Sequence, residues 1–289
     1  SWQHEDTQRI LRLMLPAVLG VSVAQISLLI NTQIASYLPP GSVSWLSYSD
    51  RLMEFPTALL GVALGVVLMP QLAAARGADD AQRYSAMIDW GLRLVLLFAL
   101  PCAVALLVFS RPLVETLFHY GRFSAHDAQQ VTRSLMGYGL GLLGLVAIKV
   151  LAPAYFAKGD MKTPVKIAVV VLIFTQILNY LLVPHLQHAA LTLSISLGAL
   201  LNATWLLTGL VRKGGYSPQP GWGKAIAQIV LATAVLGAGL WGVQQYIDWG
   251  SLHAAWRIAY LLGTMAAVGA AYFAMLALLG FPVRQMMRR

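Results

Sequence analysis

IAVVVLIFTQILNYLLV, residues 167–183, carries no charged side chain over seventeen consecutive positions. A helix rises about 1.5 Å per residue, and roughly 17–25 apolar residues cross a hydrocarbon core about 30 Å thick. The run is continuous and does not alternate, so it predicts a membrane-spanning helix and not a barrel strand. Working outward, similar windows recur along the chain. They are Leu13–Tyr37, Leu52–Ala75 with Glu54 near its start, Leu94–Ser110, Ser134–Ala157 interrupted by Lys149, Ala189–Val211, Ala225–Ile247 and Ile258–Val283. The expected fold is therefore all-α, a polytopic membrane protein of about eight transmembrane helices. Composition agrees. Of 289 residues, 58% are hydrophobic and 11% charged, against about 25% charged in soluble domains.

The net charge of +9 sits in short segments between apolar runs. No basic stripe is interleaved with aromatics, which excludes nucleic acid as the partner and points to anionic membrane lipids. Arg9, Arg12, Arg76, Arg83, Lys158, Lys162, Lys166, Arg212, Lys213, Lys224, Arg284, Arg288 and Arg289 fall on one side of an eight-span topology. Only Arg51, Arg111, Arg122, Arg133 and Arg257 fall on the other. The first side is expected to be cytoplasmic, with both termini on it. The lone cysteine, Cys102, rules out an internal disulfide framework and a cysteine-based zinc site. The polar opening Ser1–Arg12 lacks an initiator methionine and a signal peptide, and reads as a fragment or processed piece.

One boundary stands out. Residues 214–223, with Gly214, Gly215, Pro218, Pro220 and Gly221, form an expected cytoplasmic linker. It divides a six-helix lobe, 1–213, from a final helix pair, 224–289.

SDRLMEFP, Ser49–Pro56, places Asp50, Arg51 and Glu54 at the outer end of the second span. Arginine presents a planar fork that matches phosphate, and the carboxylates could hold it until an anionic ligand arrives. The alternative is a helix start capped by Ser49, with the acids at the positive end of the dipole. Lys149 lies about 13 Å along its helix from Lys158, too deep to snorkel fully, and reads as a charge facing a wet cavity or as a partial snorkeler. GYGLGLLG, Gly137–Gly144, mimics a dinucleotide fingerprint without the strand it needs, so close helix packing is expected. Asn31, Thr175 and Asn179 are polar groups at membrane depth. They read as interhelical hydrogen bonds or as neutral oxygen ligands of a sodium ion, the one metal site considered. The six histidines fall at span ends or in loops and suggest no metal site.

Three stretches carry a family resemblance. LPAVLGVSVAQISLLINTQIAS (Leu15–Ser36), SDRLMEFPTALLGVALGVVLMPQL (Ser49–Leu72) and KVLAPAYFAKGDMKTPVKIA (Lys149–Ala168) resemble the seventh helix, the eighth helix and the tenth-to-eleventh connection of the MurJ (MviN) family. The likeness covers essentially the whole chain. It implies the multidrug/oligosaccharidyl-lipid/polysaccharide exporter fold and translocation of lipid II, the undecaprenyl-pyrophosphate-linked peptidoglycan precursor, across the bacterial inner membrane by alternating access. It further implies no catalytic residues, Arg51, Glu54, Asp50 and Lys149 as substrate-contacting positions, and a groove for the lipid tail between the last two helices. The family's N-terminal lobe is absent from the sequence, so the chain reads as a piece of a transporter. A membrane enzyme acting on polyprenyl phosphates is the competing reading. It would need catalytic carboxylates or histidines outside the membrane, where only Glu115, His119, His126, Asp127 and Asp248 are available.

Overall fold

The computed structural model describes residues 5–283 and 286, with the side chains of 5–17, 19–21, 62 and 63 outside the description. Among the described residues ten α-helices and one π-helical turn follow in order, and no strand occurs. They are α1 (Glu5–Ser36), α2 (Ser42–Thr57), the π turn (Ala58–Val62), α3 (Ala63–Gly77), α4 (Ala81–Val108), α5 (Ser110–Phe118), α6 (Ala125–Ala157), α7 (Lys162–Leu186), α8 (His188–Arg212), α9 (Trp222–Tyr246) and α10 (Ala254–Leu278).

Seven helical stretches among the described residues are long and apolar enough to cross a membrane. They correspond to the second to eighth expected spans, with α2, the π turn and α3 forming one of them, Ser42–Gly77. The first expected span lies on α1, much of whose side-chain surface falls outside the described residues. Helix starts are specified locally. Asp80 caps α4 by accepting from the Arg83 N–H at 2.9 Å. Ser124 and Asp127 close a capping box on α6. Pro56, which has no N–H to give, sits just before the π turn, where the α-helical register changes by a residue.

Helix α6 is the axis of the bundle, packing against α2, α3, α4, α5 and α8. The glycine run does what close packing requires. A Cβ at Gly137 would collide with Thr192, one at Gly141 with Ser196, and one at Gly144 would stand 2.8 Å from the Ala199 carbonyl carbon. With no side chain on that stripe, α6 and α8 approach backbone to backbone. Gly141→Ala, which would push its methyl into the Ser196 backbone, is expected to cost about 1–3 kcal/mol. A detergent melting curve unchanged from wild type would refute this packing role.

The last two helices join the same core. Gly237 of α9 lets Val104 of α4 come within 2.9 Å of where a Cβ would be. The Tyr272 hydroxyl of α10 donates to the Leu97 carbonyl at 2.6 Å. At the other end Arg257, buried in the first turn of α10, donates to four carbonyls: Glu115 (3.0 Å), His119 (3.2 Å), Gly250 (2.8 Å) and Leu252 (2.8 Å). Its charge therefore binds α10 to α5 and the 248–253 loop.

Candidate functional site

SDRLMEFP lies well inside α2, which begins at Ser42 behind a left-handed Gly41. The helix-start reading is thereby corrected. Ser49 caps nothing: it is buried, and its hydroxyl reaches the Trp45 carbonyl (2.9 Å) and the Val131 carbonyl of α6 (3.2 Å). The next residue is drawn the same way, with Asp50 accepting a hydrogen bond from the Tyr138 hydroxyl of α6. A second correction follows. Arg51 takes part in no ion pair among the described residues, so Asp50 and Glu54 do not hold its guanidinium. Asp50 is turned inward by Tyr138, while Arg51 and Glu54 are both exposed.

Lys149 also projects from the packed surface. Its stem lies on Gly61 in the π turn, where a Cβ would come within 2.8 Å of Lys149 Cγ. The pairs Trp45–Asp127, Asp50–Tyr138 and Gly61–Lys149 advance together in sequence, so α2 and α6 run parallel. Lys149 is eleven residues beyond Tyr138, about 16 Å deeper along the bundle. The structure therefore leaves Arg51 and Glu54 exposed three residues apart on α2, separates Lys149 from them by depth, and gives none of the three an ion-pair partner among the described residues. Two cations at two depths can neutralise an anion in successive positions.

The amide set is brought together across two helices. Asn179 of α7 donates to Asn31 Oδ1 of α1 at 2.9 Å and to Gln176 Oε1 at 3.2 Å. Thr175, one turn earlier, donates to the Val171 carbonyl at 2.8 Å. Asn31, Thr175 and Asn179 are all buried, and Asn179 Oδ1 has no hydrogen-bond partner among the described residues. The interhelical bond exists, and it leaves neutral oxygens over. No carboxylate joins them among the hydrogen bonds described.

One buried charge escaped the sequence reading. Asp89 of α4 is 2% exposed. Its Oδ1 accepts from the Tyr216 hydroxyl (2.8 Å), the Gln219 N–H (3.0 Å) and Trp222 Nε1 (2.6 Å), and its Oδ2 from Arg93 Nε (2.7 Å). Arg93 also donates to the Pro220 carbonyl at 3.1 Å and lies 5.0 Å from the Trp222 ring centroid. Burial, then the hydrogen bond to Asp89 and its charge, push the Tyr216 phenol above its ordinary range, so it remains a donor. The 214–223 segment, expected only as a linker, is clasped along α4. The signal was present as an acid and a base four residues apart at the edge of an apolar run.

Two of the candidates for catalysis, Glu115 and Asp127, are held structurally. Glu115 is 3% exposed and pairs with Arg111 at 2.8 Å, and Asp127 is bound by Trp45 and Ser124. Among the described residues no group of three histidine, cysteine or acidic side chains could hold a metal.

Residues 1–260 match the family model of the lipid II flippase MurJ. A lipid II flippase MurJ of Burkholderia cenocepacia is 50% identical over 289 residues, covering 99% of this chain and 56% of its own length. A probable lipid II flippase MurJ of Vibrio cholerae is 35% identical, covering 99% of this chain and 55% of its own. The chain thus spans about half the length of the curated relatives it matches. In fold, it superposes on a MurJ structure in an inward closed conformation with TM-score 0.76 at 19% identity, over 98% of this chain and 56% of that one. An outward-facing multidrug transporter of the MATE family follows at 0.60 and 17%, over 94% of this chain and 64% of that one.

Proposed function

We propose, on the premise that this chain belongs to the lipid II flippase MurJ family, that it forms part of a flippase carrying lipid II across the bacterial inner membrane. The observation that supports this reading is the exposed set Arg51, Glu54 and Lys149 on two parallel spans. A pyrophosphate drawn along a low-dielectric path is costly unless fixed cations meet it. Alternating access would offer Arg51 and Lys149 to the substrate at different depths. The proposed partners are lipid II, the membrane lipids and a facing N-terminal lobe of the same transporter, consistent with relatives of which the chain spans about half. The test is rescue of a flippase-depleted strain by the full-length parent. Growth with lipid II reaching the outer leaflet supports the reading, and lysis despite normal expression overturns it.

The proposed orientation puts both termini in the cytoplasm, on the positive-inside count. Both ends lie outside the described residues. Cysteines introduced at Ser1 and Arg289 should resist an impermeant thiol reagent added to intact cells. Labelling at either would reverse the orientation.

Sodium is the proposed coupling ion, held by oxygens of Asn31, Thr175 and Asn179. Asn179 Oδ1, without a hydrogen-bond partner among the described residues, supports it, and a neutral oxygen set suits a weakly held monovalent ion. Sodium, but not potassium, should raise the melting temperature of the purified protein, and Asn179→Ala should remove that difference. Equal stabilisation by both salts would eliminate the site.

A further inference from the structure

The ends of α3, α4 and α6 enclose a cleft of about 970 Å³ with the 214–220 segment. Arg76, Arg83 and Lys158 line it, each from a different helix end. Two acids, Asp79 and Asp80, also line the cleft, but neither neutralises Arg83 or Lys158 among the described residues. Asp80 is spent capping α4, and Asp79 meets Arg76 only at 3.5 Å with its side chain 94% exposed. Lys213, beside the cleft, is 3.6 Å from Asp160. Lys158 forms no ion pair among the described residues and rests 4.9 Å from the Tyr84 ring centroid. Partial burial, then the charges of Arg76 and Lys213, hold its ammonium below the ordinary lysine range. An anion would relieve that crowding.

The cleft is also preorganised. Its linker wall is fixed to α4 by the Ser217 N–H to Ser85 Oγ bond (3.0 Å), by Ser85 Oγ to the Ser217 carbonyl (3.2 Å) and by Asp89. Gly215 leaves room for the lysine, since a Cβ there would strike Nζ. Cationic side chains set at helix ends, at the depth where spans emerge from lipid, match the phosphate of a headgroup.

We infer that this cleft is a phosphate-binding site for the headgroup of an anionic phospholipid, with Arg76, Arg83 and Lys158 as ligands. Assigning it to the cytoplasmic leaflet rests on the orientation proposed above, whereas binding itself does not. The site is separate from Arg51 and Lys149, and it would anchor the α4–linker junction to the membrane surface.

The test is native mass spectrometry of the full-length parent released from micelles containing phosphatidylglycerol or phosphatidylcholine. Wild type should retain phosphatidylglycerol selectively. Arg83→Gln combined with Lys158→Gln, both at exposed positions, should cut that retention about thirtyfold, on the order of fivefold per charge. Arg83→Lys with Lys158→Arg should restore it. Equal retention by the glutamine variant overturns the proposal. So does a result in which millimolar inorganic phosphate displaces the lipid and stabilises wild type as well as the lipid does, since free phosphate would then be the ligand. Cysteine labelling of the termini reports on the leaflet independently.

Discussion

Arg51→Ala in the full-length parent should abolish rescue of a flippase-depleted strain, and Arg51→Lys should weaken it, with expression and membrane insertion preserved in both. Arg51 is exposed and makes no ion pair among the described residues, so its removal leaves no partner stranded. The fold should therefore tolerate the loss. The transported anion should not: removing one charge from a desolvated pair costs about 2–5 kcal/mol. At 3 kcal/mol that is roughly a hundredfold in rate. Lysine restores the charge without the planar two-donor fork and should recover only part of the loss. The opposite expectation holds for Asp50, which Tyr138 ties to α6. Its loss should lower stability before it lowers transport. Normal growth with the alanine variant would remove Arg51 from the substrate path, and loss of folded protein would make it a structural residue.

Asp89→Ala should be the most damaging single change to the fold. It would leave Tyr216, Trp222, the Gln219 N–H and Arg93 without their common acceptor in a site that is 2% exposed. Removing one partner of a buried pair costs about 3–5 kcal/mol, a large share of the total stability of a domain. The damage should also be local in its first expression. With the clasp gone, trypsin should cut after Lys213 and Lys224, on either side of the segment, well before the helices unfold. A cleavage rate and melting temperature equal to wild type would contradict the clasp.

What the sequence made legible was set by the length of the signal. Runs near twenty apolar residues announced the spans, and the glycine run announced where α6 meets a neighbour, because lipid demands both patterns locally. Helix α5 was missed because nine residues with Arg111 and Glu115 read as a loop between spans. The start of α2 was missed because Ser49 imitates a helix cap, whereas it is buried with its hydroxyl bonded to carbonyls. The polarity of Asn31 and Asn179 was visible, but their pairing joins residues 148 apart. Asp50 likewise looked available until Tyr138, 88 residues away, was placed beside it. The exposure of Arg51 and Lys149 could be expected from their charge alone, since little competes for them. The buried acid Asp89 was passed over because its partners come from a segment that looked unstructured.

The π turn at Ala58–Val62 has a consequence best put as arithmetic on the chain. A π turn holds one residue more than the α-helical turn it replaces, and one residue corresponds to about 100° of rotation. The rod from Ser42 to Gly77 is thus two helices out of phase by an insertion. Deleting a single residue there would straighten it into one uninterrupted α-helix. Either Arg51 or the α3 face would then swing about a quarter turn, and the notch at Gly61 would no longer meet Lys149. The phase slip thus allows one span to present a cationic face at one depth and a lysine seat at another.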